Sequence, residues 1–286
     1  MQFIIGTAQF SGKYGINPLK KNTINVSYLN KIYYFAKKNK INILDTAQSY
    51  EGVEKIIGKS KLSNLNIITK FEIKKNSTIN SLYLDLKKSL KNFNKKKIYA
   101  LLLHNPWNIT KKEINILKIF FKRIKKDKLV KKIGISIYDK KDLYKIFNFL
   151  KLDIVQLPLN ILNRRLYDDQ TIDFLKKKKI EIHVRSVFLK GLLTSNKKYT
   201  QFSKWTKLFI MWEKITLKKI YLKIYYAIKF IQNLTGLTNF IIGFDNLYQF
   251  KLIMKSSKKK NKLPHELKNF FSKDNKLIDP RKWKEI

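Results

Sequence analysis

The sequence predicts a single-domain (β/α)8 barrel, an α/β fold of the TIM-barrel class. Three observations predict it. Eight short apolar runs alternate with eight helical patterns along 286 residues, a length typical of such barrels. The runs lack strict apolar–polar alternation, as parallel strands buried on both faces should. After the first run, "GTAQFSGKYG" carries glycines at 6, 12 and 15, the wrong spacing for the phosphate loop that opens a doubly wound sheet.

Each element follows from its local pattern. Phe3–Gly6 reads as the first strand and Val26–Lys38 as the helix after it, since Tyr28, Ile32, Phe35 and Ala36 make a stripe that packs on a sheet. Asn42–Asp45 precedes Val53–Lys59, where Val53, Ile56 and Ile57 share one helical face. The same order continues with Asn66–Lys70 and Ser81–Phe93, then Tyr99–His104 and Lys111–Lys126, then Lys132–Ser136 and Lys140–Leu150. Ile154–Leu157 with Gln170–Lys178, Glu181–Arg185 with Thr216–Asn233, and Asn239–Gly243 with Leu247–Lys255 complete it. Two stretches depart from the rhythm. Residues 186–215 form a long connection rich in aromatics (Phe188, Phe202, Trp205, Phe209, Trp212), and connections of that length usually serve function. The barrel is assigned to residues 1–255. Residues 256–286 read as a basic tail with a short helix at His265–Phe271, expected to cover one barrel end or to be loosely held.

Composition narrows the function classes. Hydrophobic residues make up 44% of the chain, enough for a substantial core. The absence of cysteine excludes disulfides, thiolate metal sites and cysteine nucleophiles. The three histidines (His104, His183, His265) have no paired spacing, so no metal site is expected. No Gly-x-Ser-x-Gly elbow occurs. No run approaches the roughly 18 apolar residues of a membrane span, and the first ten residues read as a strand, not a targeting segment. A soluble, cytoplasmic protein is expected. The formal charge of +42 invites a polyanion-binding reading. Yet only five of 62 basic residues are arginine, and the lysines are spread over the whole chain beside abundant Asn and Ile. A phosphate-reading surface would concentrate its charge and favour arginine. Nucleic acid is therefore not the expected partner, although such a field still attracts anionic cofactors.

Barrel active sites gather where strands end on the C-terminal face. In "ILDTAQSYEGVEKIIG" Asp45 ends the second strand and Tyr50 lies on the link to the next helix. Lys70 ends the third strand, and His104 the fourth, in "YALLLHNPWNI". Singly these have ordinary structural readings: a helix cap, a half-buried aromatic, one lysine of many, a core histidine. Together, from neighbouring strands, they form a chemical group. A phenol donates its proton poorly at neutral pH unless its anion is stabilised, and a nearby ammonium does that. A buried lysine needs a carboxylate to stay charged, which Asp45 supplies. His104 can orient a carbonyl toward the phenol. A tuned acid beside a carbonyl requires a hydride donor.

The motifs "GTAQF…YGI", "ILDTAQSY…VEKIIG", "IITKF", "LLLHNP", "KKIGIS", "VQLPLN", "RSVFLKGLL" and "IIGFDNLYQF" fall in the order of the aldo-keto reductases, which the sequence resembles over roughly residues 1–255. It looks closest to a bacterial branch carrying the Arg-Ser-Val-Phe-Leu-x-Gly-Leu-Leu segment. The resemblance implies an NADP-dependent reductase in which Tyr50 donates the proton, Lys70 modulates it, Asp45 partners Lys70 and His104 orients the carbonyl. It also implies cofactor contacts: Gly6 and Thr7 in the first motif, Ser136 and Gln156 at the carboxamide with Asn160 in support, and Arg185 stacked on the nicotinamide. Ser186, Phe188, Gly191 and Leu192 would fold over the pyrophosphate. Gly243, Asp245, Asn246 and Gln249 would hold the adenosine end.

There are departures. Most relatives read Gly-x-Ser directly after the tyrosine, whereas Glu51-Gly52-Val53 moves the glycine by one. Asn246 stands where relatives selecting a 2′-phosphate often have Arg or Lys, and Ile253 replaces a usual asparagine. NADP is the expected cofactor, with NAD the alternative. Tyr14 and Trp107 are the candidate substrate contacts, for a small carbonyl compound or sugar. The competing functions are a cofactor-binding regulatory protein with little turnover, and a polyanion-binding protein.

Overall fold

In a computed structural model, which describes residues 1–12, 14–16, 24–258 and 262–285, eight parallel strands close into a barrel in sequence order, β8 returning to β1. The strands are β1 (Gln2–Gly6), β2 (Ile43–Asp45), β3 (Asn66–Phe71), β4 (Ile98–Leu103), β5 (Val130–Ser136), β6 (Ile154–Pro158), β7 (Glu181–Arg185) and β8 (Asn239–Ile242). The helices are α1 (Val26–Lys38), α2 (Val53–Lys59), α3 (Ile79–Phe93), α4 (Lys111–Lys126), α5 (Lys140–Phe147), α6 (Arg165–Asp168), α7 (Thr171–Lys177), α8 (Thr206–Ile215), α9 (Ile220–Gln232), α10 (Leu247–Ser257) and α11 (Asn275–Ile278). Two apolar layers hold this arrangement. Ile4, Ile43, Ile68, Ala100, Leu102, Ile154 and Ile241 fill the barrel, and a larger shell lies between strands and helices. Because both faces of every strand are covered, the strands are apolar without alternation.

Helix starts follow side-chain caps. Asn25 accepts from Tyr28 N, and Thr78 and Thr110 close capping boxes with Ser81 and Glu113. The structure departs from the sequence reading at several element boundaries. His104 and Gly243 each lie one residue beyond their strands, and α5 stops at Phe147, short of Leu150. The expected helix Thr216–Asn233 is present as α9 but starts late, at Ile220, because Leu217 and Lys218 adopt left-handed φ of 49° and 54° and separate α8 from α9. The long connection is therefore not bare: it carries 3-10 turns and α8.

The C-terminal tail is packed down on the face where the strands end. Its residues 259–261 and 286 lie outside the described residues. His265–Asn269 forms a 3-10 turn. Phe270, fully buried, stacks on Trp212 with centroids 4.8 Å apart. Arg164, just after β6, donates to the carbonyls of Leu267, Lys268 and Phe270 at 2.6, 3.1 and 3.1 Å. Arg164→Ala should cost about 1–3 kcal/mol of stability by leaving these carbonyls unpaired. Limited proteolysis should then cut C-terminal to α10 faster than in the wild-type protein, while urea unfolding reports the stability loss.

Candidate active site

The strand ends bring Asp45, Tyr50, Lys70 and His104 around one cavity of about 230 Å³, which Gly6, Thr7, Gln156, Arg185, Ser186 and Phe188 also line. A second cavity of about 200 Å³ continues it toward Asp245, Gln249 and Ile253. The two share Gln9, Tyr14, Phe188, Lys190, Gly191 and Gly243 and so form one trough across the barrel mouth. A larger cavity of about 760 Å³ lies at the opposite end of the barrel, between Lys132, Asp153 and Glu181, and lacks this convergence.

Below the trough is a buried ion pair. Lys70 is 2% exposed, and its Nζ donates to Asp45 Oδ2 at 2.6 Å and to the Thr46 carbonyl at 2.6 Å. The other Asp45 oxygen accepts from Gln156 Nε2 at 2.8 Å. Thr7, at the end of β1, donates through its hydroxyl to the Asp45 carbonyl. Lys70 Nζ stands 5.7 Å from the centre of the Tyr50 ring. The loop that carries Tyr50 is fixed by backbone bonds from Gln48 N to Lys70 O and from Tyr50 N to Ala47 O. It enters α2 through Gly52, whose φ of 73° is left-handed and favours glycine. The displaced glycine of the sequence thus has a local geometric reason.

Electrostatics around the phenol differ from the expectation built on Lys70 alone. Burial pushes the Tyr50 pKa well above its ordinary value, with Asp45 and Tyr14 acting in the same direction. The cation opposing this rise is Arg185. Tyr14, also lining the trough, is pushed up to about 12, mainly by burial. Burial also lowers Lys70, against the pull of Asp45. His104 lies below its usual range, again mainly through burial. Its ring meets the Tyr50 ring edge-on, 6.4 Å between centroids.

Several residues of this site were not singled out in the sequence. Glu72, one past β3, places Oε1 3.3 Å from His104 Nδ1, and Ser49 Oγ is 3.5 Å from the same nitrogen. Tyr138 lines the trough and contacts two guanidiniums, Arg185 at 4.0 Å and Arg281 of the tail at 3.9 Å. The signal available was position only, since Glu72 and Tyr138 lie within two residues of strand ends and Ser49 on the link after β2.

The expected cofactor residues divide. Gln156 is 1% exposed and its Oε1 has no hydrogen-bond partner among the described residues, so the site holds an unused acceptor. Such an atom fits the N–H of a primary carboxamide. Ser136 is buried and accepts from Arg185 Nε at 3.2 Å, while Arg185 also bonds Ser186 Oγ and the Ile137 carbonyl. Asn160 is fully buried and ties Leu162 N, Asn163 N and the Ser186 carbonyl together, so it shapes the loop from outside the trough. That loop turns through left-handed φ at Ser186, Leu189, Lys190 and Gly191, a strained conformation of the kind found at ligand clamps. Leu192 faces a different cavity. At the far end, Gly243 approaches Gln9 so closely that a Cβ would lie 2.0 Å from Gln9 Oε1. Asp245 and Gln249 bond each other, and Asn246 caps α10. Of the two expected substrate contacts, Tyr14 lines the trough, whereas Trp107 packs edge-on against Tyr138 beneath Arg281. Among the described residues no cluster of three or more His, Asp or Glu is arranged to hold a metal, and no helix is long and apolar enough to cross a membrane.

A family model described as the aldo/keto reductase family matches residues 2–263. Among solved structures, the glycerol dehydrogenase of Gluconobacter oxydans is similar at 16% identity and a TM-score of 0.72, covering 97% of this chain and 92% of its own. An aldo-keto reductase of Bacillus halodurans in its holo form is similar at 14% identity and a TM-score of 0.76, covering 98% and 95%. At such identities the likeness speaks to the fold. No match was found among curated protein sequences.

Proposed function

Because the chain belongs to the aldo/keto reductase family, we propose that it is an NADP-dependent oxidoreductase that reduces the carbonyl of a small aldehyde, ketone or sugar to an alcohol. The observation that carries this reading is the buried Lys70–Asp45 pair beneath Tyr50, in a trough that continues past Gly243. A bound nicotinamide cofactor would supply the hydride. Gln156 Oε1 would accept from its carboxamide, Lys190 and Gly191 would meet its pyrophosphate, and Asp245 and Gln249 would flank its adenosine. Lys251 and Lys255 are exposed on α10 and supply positive charge for a 2′-phosphate near Asn246. NAD is the competing cofactor, and turnover with NADPH against NADH separates the two.

The proton comes from Tyr50. Burial keeps the phenol protonated at neutral pH but weakens it as an acid, so proton donation depends on the cations that stabilise the phenolate as it forms. As the carbonyl oxygen becomes an alkoxide, the phenol passes its proton over. The resulting phenolate is then stabilised by Arg185 and by the Lys70 ammonium held underneath.

The role of His104 follows from Glu72. A neutral imidazole whose Nδ1–H faces a carboxylate carries its lone pair on Nε2 and accepts a hydrogen bond there. We therefore assign His104 to gripping a substrate hydroxyl beside the carbonyl, which favours hydroxyaldehydes and sugars over simple aldehydes. Single-turnover oxidation of bound NADPH by a substrate panel tests both levels. Glyceraldehyde should exceed propanal by about tenfold or more in kcat/KM, the worth of one hydrogen bond to a positioned group, and His104→Ala should erase that gap. Absence of turnover with every aldehyde, ketone and sugar would overturn the enzyme assignment. Equal rates for the two aldehydes would overturn only the role given to His104.

A further inference from the structure

A separate cavity of about 810 Å³ lies beside the far end of the trough, where the connection after β7 folds back on α8 and α9. Its size is that of a small-molecule site. Phe202, Phe209, Trp212 and Leu192 give it apolar walls, while Ile210 and Leu217 stand at 59% and 64% exposure on its margin. Lys197, Lys198, Lys214 and Lys218 also line it, with Glu213 as the acid among its described lining residues.

One group in it is unusual even for so lysine-rich a chain. Lys223 on α9 is 1% exposed, yet among the described residues its ammonium donates to neutral oxygens, the Ser195 carbonyl at 2.7 Å and Asn196 Oδ1 at 2.8 Å. Among the described residues no carboxylate lies within ion-pair distance of it. A buried cation without a counter-charge is costly to fold, and burial indeed holds this lysine below its ordinary range, with only Glu213 acting against it. The abundance of lysine on the surface does not explain a buried lysine in a cavity that Trp212, Phe202 and Phe209 also line. An anionic ligand would complete the site: its charge would pair with Lys223 and the rim, and its apolar body would cover the aromatic wall.

We propose that this cavity is a second binding site, for a small amphiphilic anion with an acyl or aryl body and one carboxylate. The site adjoins the trough through Ser195, which lines both this cavity and the far end of the trough and whose carbonyl holds Lys223. Occupancy is therefore in a position to reach the loop from Leu189 to Thr194, where the backbone is strained.

Decanoate is a suitable probe, with decanol as the uncharged control, and calorimetry on the full chain reads binding. Decanoate should bind saturably with one equivalent, and decanol at least about tenfold more weakly, since the carboxylate adds a charge-assisted bond. Lys223→Gln keeps a donor but removes the charge and should weaken decanoate by a similar factor. Should that variant fold poorly, Ile210→Asp places a negative charge on an exposed position and should weaken decanoate without disturbing the core. Tyr50→Phe should bind decanoate like the wild type, because it lies in the other cavity. Absent or non-saturable binding, equal affinity for decanol, or indifference to both site variants would overturn the proposal. So would attachment to anionic lipid vesicles without binding of free decanoate. Sedimentation showing a dimer that Ile210→Asp splits would likewise overturn it, by assigning the groove to a second copy of the chain.

Discussion

Replacing Tyr50 with phenylalanine is expected to lower carbonyl reduction by about 10²–10⁴-fold, the range over which a positioned general acid contributes, while leaving NADPH affinity close to wild type. The ring is kept, so its packing against the edge of His104 survives and only the hydroxyl is lost. Purified protein, single-turnover oxidation of NADPH and a fluorescence titration of cofactor binding separate the two effects. Retention of full turnover would remove Tyr50 from the mechanism. The pH dependence follows from the same environment. Reduction needs the protonated phenol, which is the form present below the folded pKa. Burial raises that pKa, so reduction should keep its donor through the neutral range and lose it only well above pH 10, the ordinary phenol value. Alcohol oxidation needs the phenolate and should rise with pH over that alkaline limb. Arg185 is the cation that lowers this pKa, so Arg185→Gln should move the oxidation limb to still higher pH.

The part of this site that follows from position along the chain was legible in sequence. Asp45 ends its strand and Lys70 and His104 sit within a residue of a strand end, so a count of strands and the direction of a parallel barrel suffice to bring them together. Helices with polar caps, such as α1 after Asn25 and α4 after Thr110, begin where the sequence says they should. What escaped depends on the direction of side chains or on backbone groups that all residues share. Nothing in "FEIKK" marks Glu72 as the neighbour of His104, because the two meet through the pairing of β3 with β4 and a rotamer choice. The grip of Arg164 on three tail carbonyls has no sequence signature either, since the acceptors are main chain. The break between α8 and α9 falls on Leu217 and Lys218, residues that favour helix, so local propensity points the wrong way there. Assigning the cation that acts on Tyr50 needed coordinates too, because Arg185 comes from the far side of the barrel and counts through distance alone.

Lys70→Met has the second large effect, and it separates chemistry from stability. The substitution deletes the ammonium that bonds Asp45 Oδ2 and the Thr46 carbonyl and leaves a carboxylate inside the barrel with Gln156 as its remaining side-chain partner. Breaking a buried pair in this way typically costs about 3–5 kcal/mol, which urea unfolding should record. Reduction should fall by orders of magnitude as well, since the cation under the phenol ring is gone. The double variant Asp45→Asn/Lys70→Met distinguishes the two losses. It removes the orphaned charge, keeps an amide near Gln156, and should recover much of the stability without recovering turnover. If the double variant regained activity along with its stability, Lys70 would be a structural residue only, and the tuning of Tyr50 would fall to Arg185. If the single variant unfolded no more easily than wild type, the pair would not be the buried support that its geometry describes.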